Sequence, residues 1–305
     1  MQIIRYTNAT GMTTVGLLSD DQIIANIPPQ PGGTSSAPLP DLLHLSSSAL
    51  CAYIEQIVRL RSYTSENPEY TVKHMLAPID RDTEVWAAGV TYKRSEKTHR
   101  EESIAPDIYA RVYTAQRPEL FFKANPRRVA GPEDPVVIRT DSTRDVPEPE
   151  LVIVLNTYGE IVGYTIGNDI SSRSIEGENP LYLPQAKVYQ GSCALGSGIT
   201  PAWEIENPYN LTIAMTIERD GQKCWKGKAS TKQLNRKLPD LAAYLFRENV
   251  FPDGVLLCTG TALVPESPFT LQEGDIIEIS IDQLGTLRNH VVRGKEGFTQ
   301  SATRV

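Results

Sequence analysis

Glu148 and Glu150 stand two residues apart in Val146-Pro-Glu-Pro-Glu-Leu-Val-Ile-Val-Leu155, at the head of an apolar, β-branched run. That run reads as a buried strand. Side chains at i and i+2 of a strand share a face, so both carboxylates look the same way. Pro147 and Pro149 withdraw backbone donors and place this end at a sheet edge or rim, where a ligand can approach. A third acid follows from register. Asn156-Thr-Tyr-Gly159 is a turn signal, and Ile161-Val-Gly-Tyr-Thr-Ile-Gly167 is a second strand ending in Asn168-Asp169. A hairpin centred between Tyr158 and Gly159 sets Asp169 opposite Glu148 on the same face. A slip of one residue would turn Asp169 away. Three carboxylates this close repel, and without a cation one takes up a proton. An all-oxygen set without Cys or His suits Mg²⁺, with Mn²⁺ or Ca²⁺ as alternatives, over Zn²⁺. On spacing alone the competing reading is a pair of solvated rim acids.

Four further places could carry chemistry, each with a plainer reading beside it. Lys123 ends the aromatic strand in Arg117-Pro-Glu-Leu-Phe-Phe-Lys-Ala124. It caps that strand in solvent, or stands at a pocket rim as a cation for a substrate carboxylate. Glu119 is a surface acid at the strand entry or a proton acceptor at the same rim. Lys187 closes Asn179-Pro-Leu-Tyr-Leu-Pro-Gln-Ala-Lys187, an irregular loop with two prolines and few charges. It is a solvated loop lysine, or it projects into the carboxylates as counter-ion or, with a lowered pKa, as proton donor and acceptor. Gly260 and Thr261 interrupt a buried strand, as a bulge or as the place where a ligand meets backbone N–H groups. The glycines of Gly191-Ser-Cys-Ala-Leu-Gly-Ser-Gly198 fit no nucleotide-binding motif. No G-x-S-x-G elbow exists, and His44, His74, His99 and His290 are too scattered for a zinc site.

The elements that must position these residues are mostly strands. Residues 1–27 read as short hairpins, Pro28 to Pro40 as a loop, and Asp41 to Arg61 as one helix. Residues 1–70 form a small N-terminal module, and 71–305 the catalytic body. In the body, strands are expected at Glu84–Val90, Leu120–Lys123, Val136–Ile138, Glu150–Leu155, Ile161–Ile166, Leu211–Glu218, Lys223–Lys226, Val255–Thr259 and Asp275–Ile281. Helices are expected at Tyr92–Arg100, Ile108–Gln116 and Asp240–Glu248, the last capped by Asp240. Many strands with few crossover helices give an α+β, mainly β class rather than a doubly wound sheet. The 305 residues carry a net charge of −7 with no Lys/Arg block, which argues against a nucleic-acid partner. Apolar runs are strand-sized, so no membrane span is expected. Residues 1–15 show no signal pattern, and the separated Cys51, Cys193, Cys224 and Cys258 read as reduced thiols of a cytoplasmic protein.

Taken together, Gly89-Val-Thr-Tyr92, Pro118-Glu-Leu-Phe-Phe-Lys123, Pro147-Glu-Pro-Glu-Leu-Val152, Gly163-Tyr-Thr-Ile-Gly-Asn-Asp-Ile-Ser-Ser-Arg173, the Lys187 loop and Gly260-Thr261 resemble the fumarylacetoacetate hydrolase superfamily. The run Glu178 to Lys187 is most similar to its 2-keto-3-deoxy sugar-acid dehydratase branch, typified by the D-arabinonate enzymes. The resemblance implies a mixed β-sandwich roll and a homodimer or homotetramer. It implies Mg²⁺ held by Glu148, Glu150 and Asp169, with a 2-oxo acid as substrate. Lys187 and Glu119 would then handle protons, while Thr91, Tyr92, Lys123, Gly260 and Thr261 position the substrate. Hydrolases of the superfamily carry a water-activating histidine just after the Gly-x-x-Tyr turn, where this chain has Lys93, Arg94 and Ser95. That departure favours a lyase acting through a metal-stabilised enolate over the alternative, a hydrolase or decarboxylase of acylpyruvate- or oxaloacetate-like acids.

Overall fold

A computed structural model describes residues 1–28, 39–60, 71–93 and 106–298. Its N-terminal strands are β1 (Gln2–Asn8), β2 (Thr13–Ser19), β3 (Gln22–Asn26) and β4 (Val72–Leu76). The body begins with β5 (Glu84–Gly89), β6 (Glu119–Ala124), β7 (Val129–Ala130), β8 (Pro135–Ile138) and β9 (Asp145–Val146). The central strands are β10 (Pro149–Leu155), β11 (Ile161–Asp169), β12 (Ser171–Ser172), β13 (Cys193–Leu195) and β14 (Gly198–Pro201). The last are β15 (Thr212–Arg219), β16 (Gln222–Ser230), β17 (Val255–Cys258), β18 (Ile276–Ile281) and β19 (Gly285–Arg293). A large twelve-stranded sheet runs β3-β2-β1-β14-β11-β10-β17-β5-β6, with β4, β7 and β13 joined at its sides. A second, five-stranded sheet has the order β16-β15-β18-β19-β8. This is the mainly β, mixed architecture that the strand-rich pattern predicts.

The central strands explain their own composition. Leu151, Ile153 and Leu155 of β10 pack into a core shared with Ile213, Met215, Ile217, Ile277 and Ile279 of the second sheet. Val152 and Val154 point the other way, into a core with Val15, Leu17, Leu42, Leu50 and Ile54. A strand covered on both faces reads as continuous apolar sequence, whereas β15 and β18, covered on one face, alternate. The N-terminal strands and helices therefore share a core with β10, and β1 is hydrogen-bonded to β14. The expected boundary at residue 70 falls at the end of the stretch 61–70, outside the described residues.

Three local expectations are corrected. The single helix over Asp41–Arg61 is two, Leu39–Leu43 and Ser47–Leu60. The Ser46 hydroxyl accepts a hydrogen bond from the Ala49 N–H at 3.3 Å, so a serine run that competes for backbone donors restarts the helix. The later helix spans Leu238–Leu245, with Lys237 rather than Asp240 at its cap and Pro239 inside its first turn. The expected helix Tyr92–Arg100 lies mostly outside the described residues, and Ile108–Gln116 becomes Pro106–Thr114. Composition alone did not reveal β19, which pairs with β18 and β8.

Candidate active site

The hairpin register sets the site. Pro149 pairs with Asn168 and Glu150 with Gly167, and the Asp169 N–H donates to the Glu148 carbonyl at 3.0 Å. A bulge at Leu155, next to the turn, absorbs the extra loop residue, so the far end keeps the predicted register. Glu148, Glu150 and Asp169 are all buried, each offering a carboxylate oxygen within 4.8 Å of the others. Burial removes the alternative of solvated rim acids. Glu150 Oε2 accepts the Gly260 N–H at 2.6 Å. Gly260 has φ +88°, and a Cβ there would fall 2.0 Å from Thr91 Oγ1, so only glycine delivers this donor.

Lys187 is wedged between two of the acids. Its Nζ donates to Glu148 Oε2 and Asp169 Oδ2, both at 3.1 Å, and to Ser171 Oγ at 2.6 Å. The loop that carries it is ordered as a short helix, Leu183–Lys187, with Pro184 in its first turn. Burial by itself lowers the Lys187 pKa, but Asp169 and Glu148 overcome this, and the net direction is upward. Of the two readings open from sequence, the geometry without metal matches the counter-ion, an ammonium between two acids, rather than a lysine of lowered pKa. Glu150 moves upward too, pushed by burial first and then by the charges of Asp169 and Glu148, against the pull of Lys187 and the Gly260 N–H. Without a metal ion, the crowding of the triad thus favours the protonated form of Glu150, the member left out of Lys187's hydrogen bonds.

Several substrate-facing expectations are corrected. Lys123 is fully buried, not at a rim. Its Nζ contacts Asp169 Oδ1 and the Lys187 carbonyl, and donates to the Ile170 carbonyl at 3.3 Å and Ser192 Oγ at 3.4 Å. It serves as a counter-ion behind Asp169. Thr91 is buried, and its hydroxyl is committed to the Thr259 carbonyl at 2.6 Å. The Tyr92 hydroxyl is buried with no hydrogen-bond partner among the described residues, and burial, then the Glu150 charge, push its pKa up. Neither Thr91 nor Tyr92 lines the cleft, whereas Gly260 and Thr261 do. The Thr261 hydroxyl donates to the Pro149 carbonyl at 2.9 Å and accepts the Leu263 N–H. Glu119 opens β6 opposite Gly89 and also lines the cleft. A Cβ at residue 89 would lie 2.1 Å from Glu119 Oε2, so Gly89 is what lets this acid lie against β5. Val90 follows at φ +52°, a strained conformation for a β-branched residue, at the cleft wall.

Sequence reasoning assigned no role to Arg173, Ser171, Ser192 or Glu176. Arg173 Nη2 donates to Glu148 Oε1 at 2.7 Å, and its Nε faces Glu176 Oε2 at 3.7 Å. Only the run Asn-Asp-Ile-Ser-Ser-Arg hinted at this, since a strand end turning straight into a helix brings its last residues back over the strand.

Among the described residues, the buried acids Glu148, Glu150, Asp169 and Glu176 face the buried bases Lys123, Arg173 and Lys187. With every one of these groups ionised, one negative charge is left over. A divalent ion and one ligand carboxylate bring the cluster to neutrality, and the donor set is all oxygen, so the residues present fit Mg²⁺.

A family model for the fumarylacetoacetate hydrolase C-terminal domain matches residues 84–292. The chain belongs to that family. A probable 2-keto-3-deoxyxylonate dehydratase of Haloferax volcanii is 52% identical over 219 residues, 72% of this chain and 75% of the relative. The 2-dehydro-3-deoxy-D-arabinonate dehydratase of Saccharolobus solfataricus is 46% identical over 214 residues, 69% of this chain and 72% of the relative. Across 97% of this chain and 100% of the other, the structure is similar to a 2-keto-3-deoxy-D-arabinonate dehydratase complexed with magnesium and 2,5-dioxopentanoate, with TM-score 0.79 and 35% identity. The triad lies within the matched stretch, 84–292, rather than on the N-terminal elements.

Proposed function

We infer that the chain is a magnesium-dependent dehydratase that removes water from a 2-keto-3-deoxy sugar acid and yields a 2-oxo acid with a terminal aldehyde. The observation that carries this reading is the buried triad of Glu148, Glu150 and Asp169, with Lys187 held between two of its members, in a family member similar to sugar-acid dehydratases. When bound, Mg²⁺ supplies Lewis-acid stabilisation of the negative charge that develops on the 2-oxo acid as a C3 proton leaves.

Lys187 is assigned to hold and return that proton. The carboxylates that keep it charged are those that would hold the ion, so loading the site weakens their grip on its proton. Glu119, across the same cleft, is assigned as the second proton acceptor. The C4 hydroxyl leaves as water, and tautomerisation turns C5 into the aldehyde. Gly260 and Thr261 border the substrate, and Tyr92 backs Glu150. Lys93, Arg94 and Ser95 stand where a hydrolase carries its water-activating histidine, which supports elimination over hydrolysis.

The assembly is read as a homodimer or homotetramer, as the family resemblance implies, and light scattering tests it. Four free cysteines support a cytoplasmic setting, and the family match starting at residue 84 supports reading 1–70 as an N-terminal module in sequence, one that shares its sheet and core with the body. Among the described residues no helix is long and apolar enough to cross a membrane. The deciding assay supplies 2-keto-3-deoxy pentonates with Mg²⁺ and follows products by mass spectrometry. Loss of one water with aldehyde formation, abolished by EDTA, is expected. Pyruvate with a second acid, or CO₂, would instead establish the hydrolase or decarboxylase.

A further inference from the structure

Among the described residues, the buried bases around the site are committed to its own acids. Lys187 serves Glu148 and Asp169, Arg173 serves Glu148 and faces Glu176, and Lys123 is buried against Asp169. Two acids outside the triad, Glu119 and Glu176, line the same cleft. Glu176 is the deeper, at 4% exposure, and lies in the first turn of the helix Arg173–Glu178, which Ser172 caps by accepting the Ile175 N–H. Its field is correspondingly less screened than that of half-buried Glu119.

The charge balance makes this wall selective. With a divalent ion and one ligand carboxylate the buried cluster is neutral, and a second carboxylate would bring an unpaired charge against Glu176. A hydroxyl meets the same carboxylate as a donor and gains a charge-assisted hydrogen bond. We propose that Glu176 is a specificity-determining residue that accepts the hydroxylated tail of the substrate and excludes 2-oxo acids bearing a second carboxylate. The hydroxylated tail rests on the dehydratase reading, but the exclusion of a second carboxylate does not.

The test measures binding by calorimetry to the full-length, Mg²⁺-loaded protein, with two probes that have nothing to eliminate. 2-Oxopentanoate has a neutral tail, and 2-oxoglutarate is its equal in carbon count with a terminal carboxylate. The wild type is expected to bind 2-oxopentanoate at least about tenfold more tightly. Glu176→Gln keeps an acceptor and loses the charge, so it is expected to tighten 2-oxoglutarate by about tenfold and leave 2-oxopentanoate within about twofold. Glu176→Asp, with the charge kept, should retain the preference. Equal binding of the two probes by the wild type overturns the proposal, whatever the variants do. An unchanged ratio in Glu176→Gln, or equal weakening of both probes as a purely structural role would give, overturns it too. A wild type that shows the preference yet dehydrates no sugar acid would sink the dehydratase reading alone.

Discussion

Lys123 is buried against Asp169 Oδ1, while Lys187 takes Oδ2 of the same carboxylate at 3.1 Å. One acid is thus held from two sides, by a base at the cleft and by a base fully behind it. Lys123 is therefore placed to orient Asp169, one of the three proposed metal ligands. Lys123→Met keeps much of the volume and removes the charge. Magnesium affinity is expected to fall about 10–100-fold, as for other residues that orient a metal ligand. Calorimetric titration of the folded variant with Mg²⁺ gives the result directly, and an unchanged affinity would reduce Lys123 to a packing role.

The upward shift of Glu150 makes a second prediction through linkage. Its folded pKa lies above its unfolded one, so the folded, metal-free chain holds a proton that the unfolded chain has released. Metal-free stability therefore falls as pH rises from the ordinary glutamate range through the raised value. Mg²⁺ competes with that proton, so its stabilising effect grows over the same interval. Glu150→Gln removes both behaviours. Thermal melts with EDTA should show the variant more stable than wild type at neutral pH, and melts with Mg²⁺ should show no metal-induced shift. A metal response equal to wild type would contradict the ligand assignment.

How much of this was legible follows from what each signal depends on. The β10–β11 register was readable because the turn and both strand patterns are local. Lys187 was singled out, but not its state, because its pKa depends on Asp169 and Glu148 delivered by other segments. Lys123 misled for a similar reason. A lysine after two phenylalanines looks like a strand cap, and only the fold brings the carbonyls of Ile170 and Lys187 to its ammonium. The grip of Arg173 on Glu148 joins residues on two elements that no periodicity links. The break at His44–Ser46 was hidden by an apolar spacing that two successive helices satisfy as well as one.

Gly89 offers a test of Glu119 that leaves the metal ligands alone. Alanine at 89 would place its Cβ 2.1 Å from Glu119 Oε2, and because the obstruction is the far end of a side chain, Glu119 can swing aside. A displacement of about an ångström at a reacting group costs on the order of 100-fold in turnover. Gly89→Ala is thus expected to lose about that much kcat while binding Mg²⁺ as the wild type does. Turnover within a few-fold of wild type would remove Glu119 from the proton chemistry.

Asp145 carries the last prediction, and it lies away from the cleft. Burial raises its pKa to about 6, opposed by a hydrogen bond from Ser142 and by the charges of Arg293 and Arg139. Because the folded value exceeds the ordinary 3.8, the folded state retains a proton that the unfolded state loses on passing through acid pH. The sign is that of a raised acid: stability is lost as pH rises through roughly 4 to 6, and the deficit persists at neutral pH. Its ceiling is about 3 kcal/mol, from the size of the shift. Asp145→Asn carries no ionisable proton and stays neutral throughout. The variant should match or fall below the wild type at pH near 4 and exceed it at pH near 7.5, in chemical unfolding with Mg²⁺ held constant. Parallel stability curves across that range would mean that Asp145 is ionised and adequately paired in the folded protein.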